Sequence, residues 1–248
     1  MPWQEGRGRR PGSKAALRRA APGSVGARGD NAAMLTRHLE VPRTARYCLS
    51  AEPTEAVRDV WFVLHGYGEL ASDILDGFAA AAAPGRLFVA PEGLSRYYRR
   101  GGSGGVGASW MTREERASEI ADHVGYLDRL YATVRVAVHP DARVSCLGFS
   151  QGAAAACRWA LQGTQPLDAV VLWGGGVPPD LELSVARVRS MRFTFVVGTR
   201  DPYFEDERYI AEAEGFERLA ALGGRTETLR FDGGHEIAPE PFPRLFDA

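Results

Sequence analysis

A serine hydroxyl is a weak nucleophile at neutral pH. It needs a base to take its proton, an acid to orient that base, and hydrogen-bond donors for the oxygen that turns negative when a carbonyl is attacked. The 248-residue chain has candidates for all four parts. Gly148-Phe149-Ser150-Gln151-Gly152 stands between the apolar run Arg143 to Phe149 and an alanine-rich helical run, which puts Ser150 on a sharp turn from strand to helix. Such a turn strains the serine backbone and needs glycine on either side, where any larger side chain would collide with neighbouring backbone. The other reading is an ordinary glycine-rich turn whose serine caps the helix.

The base and the acid lie downstream. Asp201 follows the apolar run Arg192 to Val197, in Val197-Gly198-Thr199-Arg200-Asp201-Pro202, and His235 follows the next strand-like run, in Asp232-Gly233-Gly234-His235-Glu236. Both positions are C-terminal ends of strands, where open α/β sheets assemble their active sites. Glu205, Asp206 and Asp232 are the other acids nearby. Asp201 is preferred because it sits nearest a strand end and just ahead of a helical pattern. Taken singly, an aspartate there is a turn or cap residue and a histidine there is a loop residue. Together with Ser150 they follow the order serine, acid, histidine that α/β-hydrolases use.

Donors for the oxyanion come from backbone. Leu64-His65-Gly66-Tyr67-Gly68 follows the apolar run Asp59 to Leu64, so the Tyr67 N–H is expected to point into the site, with the Gln151 N–H as second donor. His65 is expected to brace this loop. His65, His123, His139 and His235 have no metal-binding spacing, and His38 adds nothing to that case, so no metal is expected.

These residues need a scaffold that brings distant segments to one edge. Strand-like and helix-like runs alternate, which predicts a mainly parallel sheet with helices on both faces. Leu35 to Val41 and Arg46 to Ser50, short and half polar, read as edge strands. Asp59 to Leu64, Arg86 to Ala90, Arg143 to Phe149, Ala169 to Trp173, Arg192 to Val197 and Thr226 to Phe231 read as the buried strands. Ile120, Val124, Leu127 and Tyr131 form one helical stripe; Tyr209, Ala213, Phe216 and Ala220 form another; Ala153 to Cys157 with Ala160 form a helix of small side chains. Pro91 to Thr112, with its glycines, arginines and aromatics, is too long for a simple connector.

Composition excludes several function classes. With 30 basic and 31 acidic residues the net charge is -1, so no global field recruits nucleic acid or an anionic membrane. Residues 1–33 read as a basic tail that cannot build a core, or as an upstream start-site artefact, with Met34 as a sensible start and the catalytic domain at 34–248. Three cysteines without metal spacing fit a reducing cytoplasm. No apolar run is long enough to span a membrane. The expected partner is a small molecule.

Residues 34–248 resemble the phospholipase/carboxylesterase branch of the α/β-hydrolases, which includes acyl-protein thioesterases. The resemblance rests on Leu64-His65-Gly66-Tyr67-Gly68, Pro91-Glu92-Gly93, Ser109-Trp110, Gly148-Phe149-Ser150-Gln151-Gly152, Gly198-Thr199-Arg200-Asp201 and Gly233-Gly234-His235-Glu236. It implies an α/β-hydrolase fold with little or no cap domain, no cofactor, and ester cleavage through an acyl-enzyme. Tyr97 to Thr112 departs from the thioesterase pattern, with an Arg/Tyr/Gly-rich insertion and Met111-Thr112-Arg113 after the tryptophan. Trp110, Tyr97 and Tyr98 are candidates for an apolar substrate pocket, and Arg96, Arg99 and Arg100 for meeting a carboxylate or phosphate. Thioesterase and lysophospholipase activity are alternatives within the same chemistry. A binding protein on the hydrolase scaffold is the alternative outside it.

Overall fold

The computed structural model describes residues 35–204 and 207–247. The chain divides into two compact units, residues 1–42 and 43–248. Of the first, residues 35–42 carry neither helix nor strand. This corrects the expected edge strand Leu35 to Val41: Arg37 interrupts the alternation of Leu35, Leu39 and Val41, so no face of the segment is continuously apolar. The tail at 1–33, Met34, Glu205 and Asp206 lie outside the described residues.

The second unit is built on a seven-stranded sheet. Its strands are β1 (Tyr47–Leu49), β2 (Asp59–Leu64), β3 (Arg86–Pro91), β6 (Arg143–Phe149), β7 (Ala169–Trp173), β8 (Arg192–Gly198) and β9 (Arg225–Phe231), in the order β1-β3-β2-β6-β7-β8-β9. All neighbours are parallel except β1, which pairs antiparallel with β3 at one edge. The six apolar runs read as buried strands agree with β2, β3, β6, β7, β8 and β9 to within one residue at either end.

Because successive strand side chains point to opposite faces, near-continuous apolar runs fill two cores. On one face Val60, Phe62 and Leu64 of β2 and Val170 and Leu172 of β7 meet α2 (Arg116–Arg135) and α3 (Gln151–Gln162). On the other Trp61, Val63, Val171 and Trp173 meet Ile74 of α1 (Ala71–Gly77) and Phe242 and Phe246 of α6 (Phe242–Phe246). The helices α4 (Val185–Ser190) and α5 (Glu207–Ala221) add Val188 and Leu219 to the first face. The expected α2 stripe faces the core, with Leu127 and Tyr131 buried and Val124 packed against the same core, and Ala153, Ala155, Ala156, Cys157 and Ala160 of α3 are buried as expected. In α2 the buried set is His123, Leu127, Leu130, Tyr131 and Val134. In α5 Leu219 is buried where Ala220 was expected; the side chains of Tyr209 and Ala213 lie outside those described.

Pro91 to Thr112 is not irregular. It holds the hairpin of β4 (Ser95–Arg100) and β5 (Ser103–Ser109), a separate two-stranded antiparallel sheet. Its glycine-rich tip hid it from a periodicity reading, since Gly101, Gly102 and Gly104 carry no side-chain pattern while adopting the positive φ of the turn. No helical cap interrupts the described chain, and no helix among the described residues is long and apolar enough to cross a membrane.

Candidate active site

Ser150 stands between β6 and α3 with φ 53° and ψ -116°, a conformation that L-residues rarely hold. Its N–H donates to the Trp173 carbonyl at 2.8 Å, tying the turn to the end of β7. A Cβ on Gly148 would lie 2.1 Å from the Gly152 carbonyl oxygen, and one on Gly152 would lie 2.2 Å from that of Leu64. Both glycines therefore serve close backbone packing, and the elbow is pressed against the end of β2. The serine side chain makes no capping hydrogen bond to α3, so its hydroxyl is not spent on holding the helix.

His235 and Asp201 come together from the loops after β9 and β8. His235 Nδ1 lies 2.7 Å from Asp201 Oδ2. A carboxylate can only accept, so Nδ1 carries the proton and Nε2 presents its lone pair. Asp201 is 3% exposed, and its Oδ1 accepts the Tyr203 N–H at 2.9 Å. The imidazole is held between the Phe149 ring, centroids 4.9 Å apart, and the Tyr203 ring at 4.6 Å. Its Cε1 lies 3.0 Å from the Cβ position of Gly174, the residue after Trp173, so it sits beside the strand end to which Ser150 is tied. Within the histidine loop the Glu236 carbonyl accepts the Trp173 indole N–H at 2.8 Å and its carboxylate accepts the Gly234 N–H at 3.1 Å. The rival acid Asp232 is 76% exposed at its side chain and forms an ion pair with Arg200.

The loop after β2 carries Tyr67. Neither the Tyr67 nor the Gln151 N–H finds an acceptor among the described residues. Gln151 lies at the N-terminus of α3, where the helix dipole favours negative charge. Its side-chain amide accepts the Trp110 N–H at 3.1 Å and donates to the Met111 carbonyl at 2.8 Å, tying the elbow to the chain leaving β5.

His65 braces this loop. Gly93 N–H donates to its Nε2 at 2.9 Å, which fixes the proton on Nδ1, and Nδ1–H donates to the Gly66 carbonyl at 2.8 Å. Trp110, expected at a pocket wall, is 2% exposed: its indole N–H donates to the His65 carbonyl at 2.8 Å. Tyr97 and Tyr98, adjacent in β4, face opposite ways as strand geometry demands. Tyr97 stacks on Tyr67 with centroids 5.3 Å apart, while Tyr98 is exposed. Arg96 and Arg99 meet carboxylates of the chain itself, Glu92 at 3.5 Å and Asp73 at 3.3 Å.

Sequence reasoning missed Glu92 and Glu69. Glu92 was visible as part of Pro91-Glu92-Gly93, yet nothing in the sequence showed that its buried carboxylate would collect Arg46 and the Ala71 N–H.

Two buried histidines make stability depend on pH. Burial lowers His65, and burial with Arg158 close by lowers His123 from 6.5 to about 4. The unfolded chain takes up protons near pH 6.5 that these folded rings refuse. Their contribution is therefore whole above that pH and declines as pH falls toward about 4. For His123 the loss between pH 7.5 and 5 is about 2 kcal/mol, at roughly 1.36 kcal/mol per pH unit. Urea unfolding at the two pH values should show it, and His123→Leu should flatten it.

Strand ends of a mainly parallel sheet carrying a strained serine, a buried aspartate and a histidine in this order define an α/β-hydrolase fold. Residues 49–242 match the family model described as Phospholipase/Carboxylesterase, and the chain belongs to that family. Its membership makes it a hydrolase of the esterase type. Among solved structures, Zea mays acyl-protein thioesterase 2 is similar with TM-score 0.63 and 18% identity, over 82% of this chain and 97% of that one. A Mesorhizobium loti carboxylesterase has TM-score 0.63 and 18% identity, over 82% and 93%. Esterase PE8 has TM-score 0.60 and 20% identity, over 83% and 97%. By sequence, no curated protein matches.

Proposed function

We propose that the chain cleaves carboxylic esters through an acyl-enzyme on Ser150, with His235 as general base and Asp201 orienting it. The observation that carries this reading is the 2.7 Å contact between His235 Nδ1 and a buried Asp201, from loops after two different strands, with the imidazole packed on Phe149, the residue before the strained Ser150. His235 Nε2 takes the serine proton as Oγ attacks the carbonyl. The Tyr67 and Gln151 amides receive the oxyanion, and Asp201 stabilises the imidazolium. The alcohol leaves with the proton from His235, and the same histidine then activates a water that releases the acid. No metal or organic cofactor takes part in this cycle.

Short acyl esters are the preferred substrate class. Tyr67, 63% exposed, stacks on Tyr97 above the donor loop and offers a small apolar platform, and among the described residues no cap domain covers a long chain. The test has two parts. A fluorophosphonate probe should label the wild type, and a matched panel of p-nitrophenyl esters, acyl thioesters and lysophospholipids should rank short esters first. Preference for thioesters or lysophospholipids would move the substrate class while keeping the mechanism. A protein inert to probe and panel alike would be a binding protein on this scaffold.

A further inference from the structure

Tyr67 can serve as an oxyanion donor only if the peptide that carries its N–H is held in one orientation. Glycine at position 66 leaves that orientation to be fixed by hydrogen bonds rather than by side-chain sterics. The Gly66 carbonyl and the Tyr67 N–H belong to one planar trans peptide and point in opposite directions. Whatever grips the carbonyl therefore aims the donor. His65 Nδ1–H grips it at 2.8 Å and the Glu69 N–H at 3.2 Å. The preceding peptide is gripped as well, since Gly66 N–H donates to Glu69 Oε2 at 2.6 Å. One residue thus closes a ring around Gly66 with its own backbone N–H and its own carboxylate.

Two further observations set this contact apart from a surface turn. A Cβ on Gly66 would lie 3.1 Å from Glu69 Oε2 and 3.1 Å from the Phe149 ring, so any larger residue here would press on the carboxylate and the ring. The acid is also half-buried: burial raises it above the ordinary glutamate value, against the pull of the Gly66 N–H, His235 and Arg99 and with the help of Asp73. A charge-assisted bond of 2.6 Å, partly shielded from water, is stronger than a neutral one.

We propose that Glu69 is a positioning residue of the acyl-transfer site, whose carboxylate on the Gly66 N–H locks the Tyr67 N–H toward the oxyanion. The proposal rests on the esterase reading of Ser150. The Glu69 carboxylate is engaged by the Gly66 N–H, so its effect is on the transition state, where the oxyanion exists, and not on binding of the neutral ester.

The test compares Glu69→Ala and Glu69→Gln with wild type, all shown folded by circular dichroism, using p-nitrophenyl butyrate and glycine-labelled NMR spectra. Glu69→Ala should lower kcat by at least about tenfold with KM little changed, approaching the roughly hundredfold cost of losing one oxyanion donor. Glu69→Gln keeps an acceptor and should recover most of the rate. The Gly66 amide proton should move upfield in Glu69→Ala and stay near its wild-type position in Glu69→Gln. An unchanged kcat in Glu69→Ala, a loss confined to KM, or a glutamine variant as impaired as the alanine one overturns the proposal. Failure of the esterase reading is distinct: the wild type itself is then inert, and a Gly66 amide that does not move in Glu69→Ala overturns the Glu69 contact on its own.

Discussion

Ser150→Ala should remain folded and lose at least about three orders of magnitude in kcat toward p-nitrophenyl butyrate, equivalent to roughly 4 kcal/mol of transition-state stabilisation. The substitution is informative because it removes so little else. Alanine keeps the Cβ, so the backbone strain at φ 53° is the same in both proteins. The hydroxyl does not cap α3, so the helix loses no hydrogen bond. The Ser150 N–H still donates to Trp173. Unchanged circular dichroism with collapsed turnover would place the chemistry on Oγ. Turnover kept within tenfold in the folded variant would mean that another group attacks the ester, and the acyl-enzyme would have to be abandoned.

The buried strands were legible because both faces of a parallel sheet are covered, which leaves near-continuous apolar runs such as Asp59–Leu64, whose valines and aromatics favour a strand over a buried helix. The elbow was legible for a related reason: a Cβ at Gly148 or Gly152 would lie close to 2 Å from a backbone oxygen, and such a demand is met by one residue type. Elsewhere the sequence misled in ways that physics explains. Tyr97 and Tyr98 looked like partners in one pocket, but strand alternation separates neighbours. Trp110 looked like a pocket wall because its chemistry suits one; its place is decided by a hydrogen bond to His65, forty-five residues away in sequence. Hairpin β4–β5 was unreadable because glycines at its tip carry no pattern.

Glu69 and Glu92 show what pattern reading leaves out. Each is an acid that sequence composition assigns to a solvated surface, and each is instead held by backbone N–H groups of the loops around the site. Glu92 receives the Ala71 N–H at the start of α1, while the next residue, Gly93, donates to His65. His65 in turn grips the peptide that carries the Tyr67 donor. Two consecutive residues after β3, Glu92 and Gly93, thereby help to shape a loop after β2, a coupling that depends on the two strands being neighbours in the sheet.

Asp201→Asn should lower kcat by about four orders of magnitude while leaving the fold and KM nearly unchanged, comparable to losing the orienting acid of other serine hydrolases. The contacts of Asp201 dictate how. Tyr203 N–H donates to Oδ1, so the asparagine carbonyl oxygen takes that place and its amide NH2 is left facing His235 at the position of Oδ2. Two N–H donors cannot face each other, so the histidine moves its proton from Nδ1 to Nε2. The nitrogen that must accept the Ser150 proton then already carries one. Asp232→Asn is the control: that acid is exposed and paired with Arg200, and its loss should change turnover less than threefold, within the range of roughly 1 kcal/mol typical of a surface ion pair. Parallel kcat and KM measurements on the two variants decide between the candidate acids. If Asp232→Asn proved as damaging as Asp201→Asn, the buried contact would not be the one that orients the base. If Asp201→Asn fell by less than tenfold, His235 would hold its catalytic tautomer without a charged partner, and the imidazolium would need no carboxylate to form.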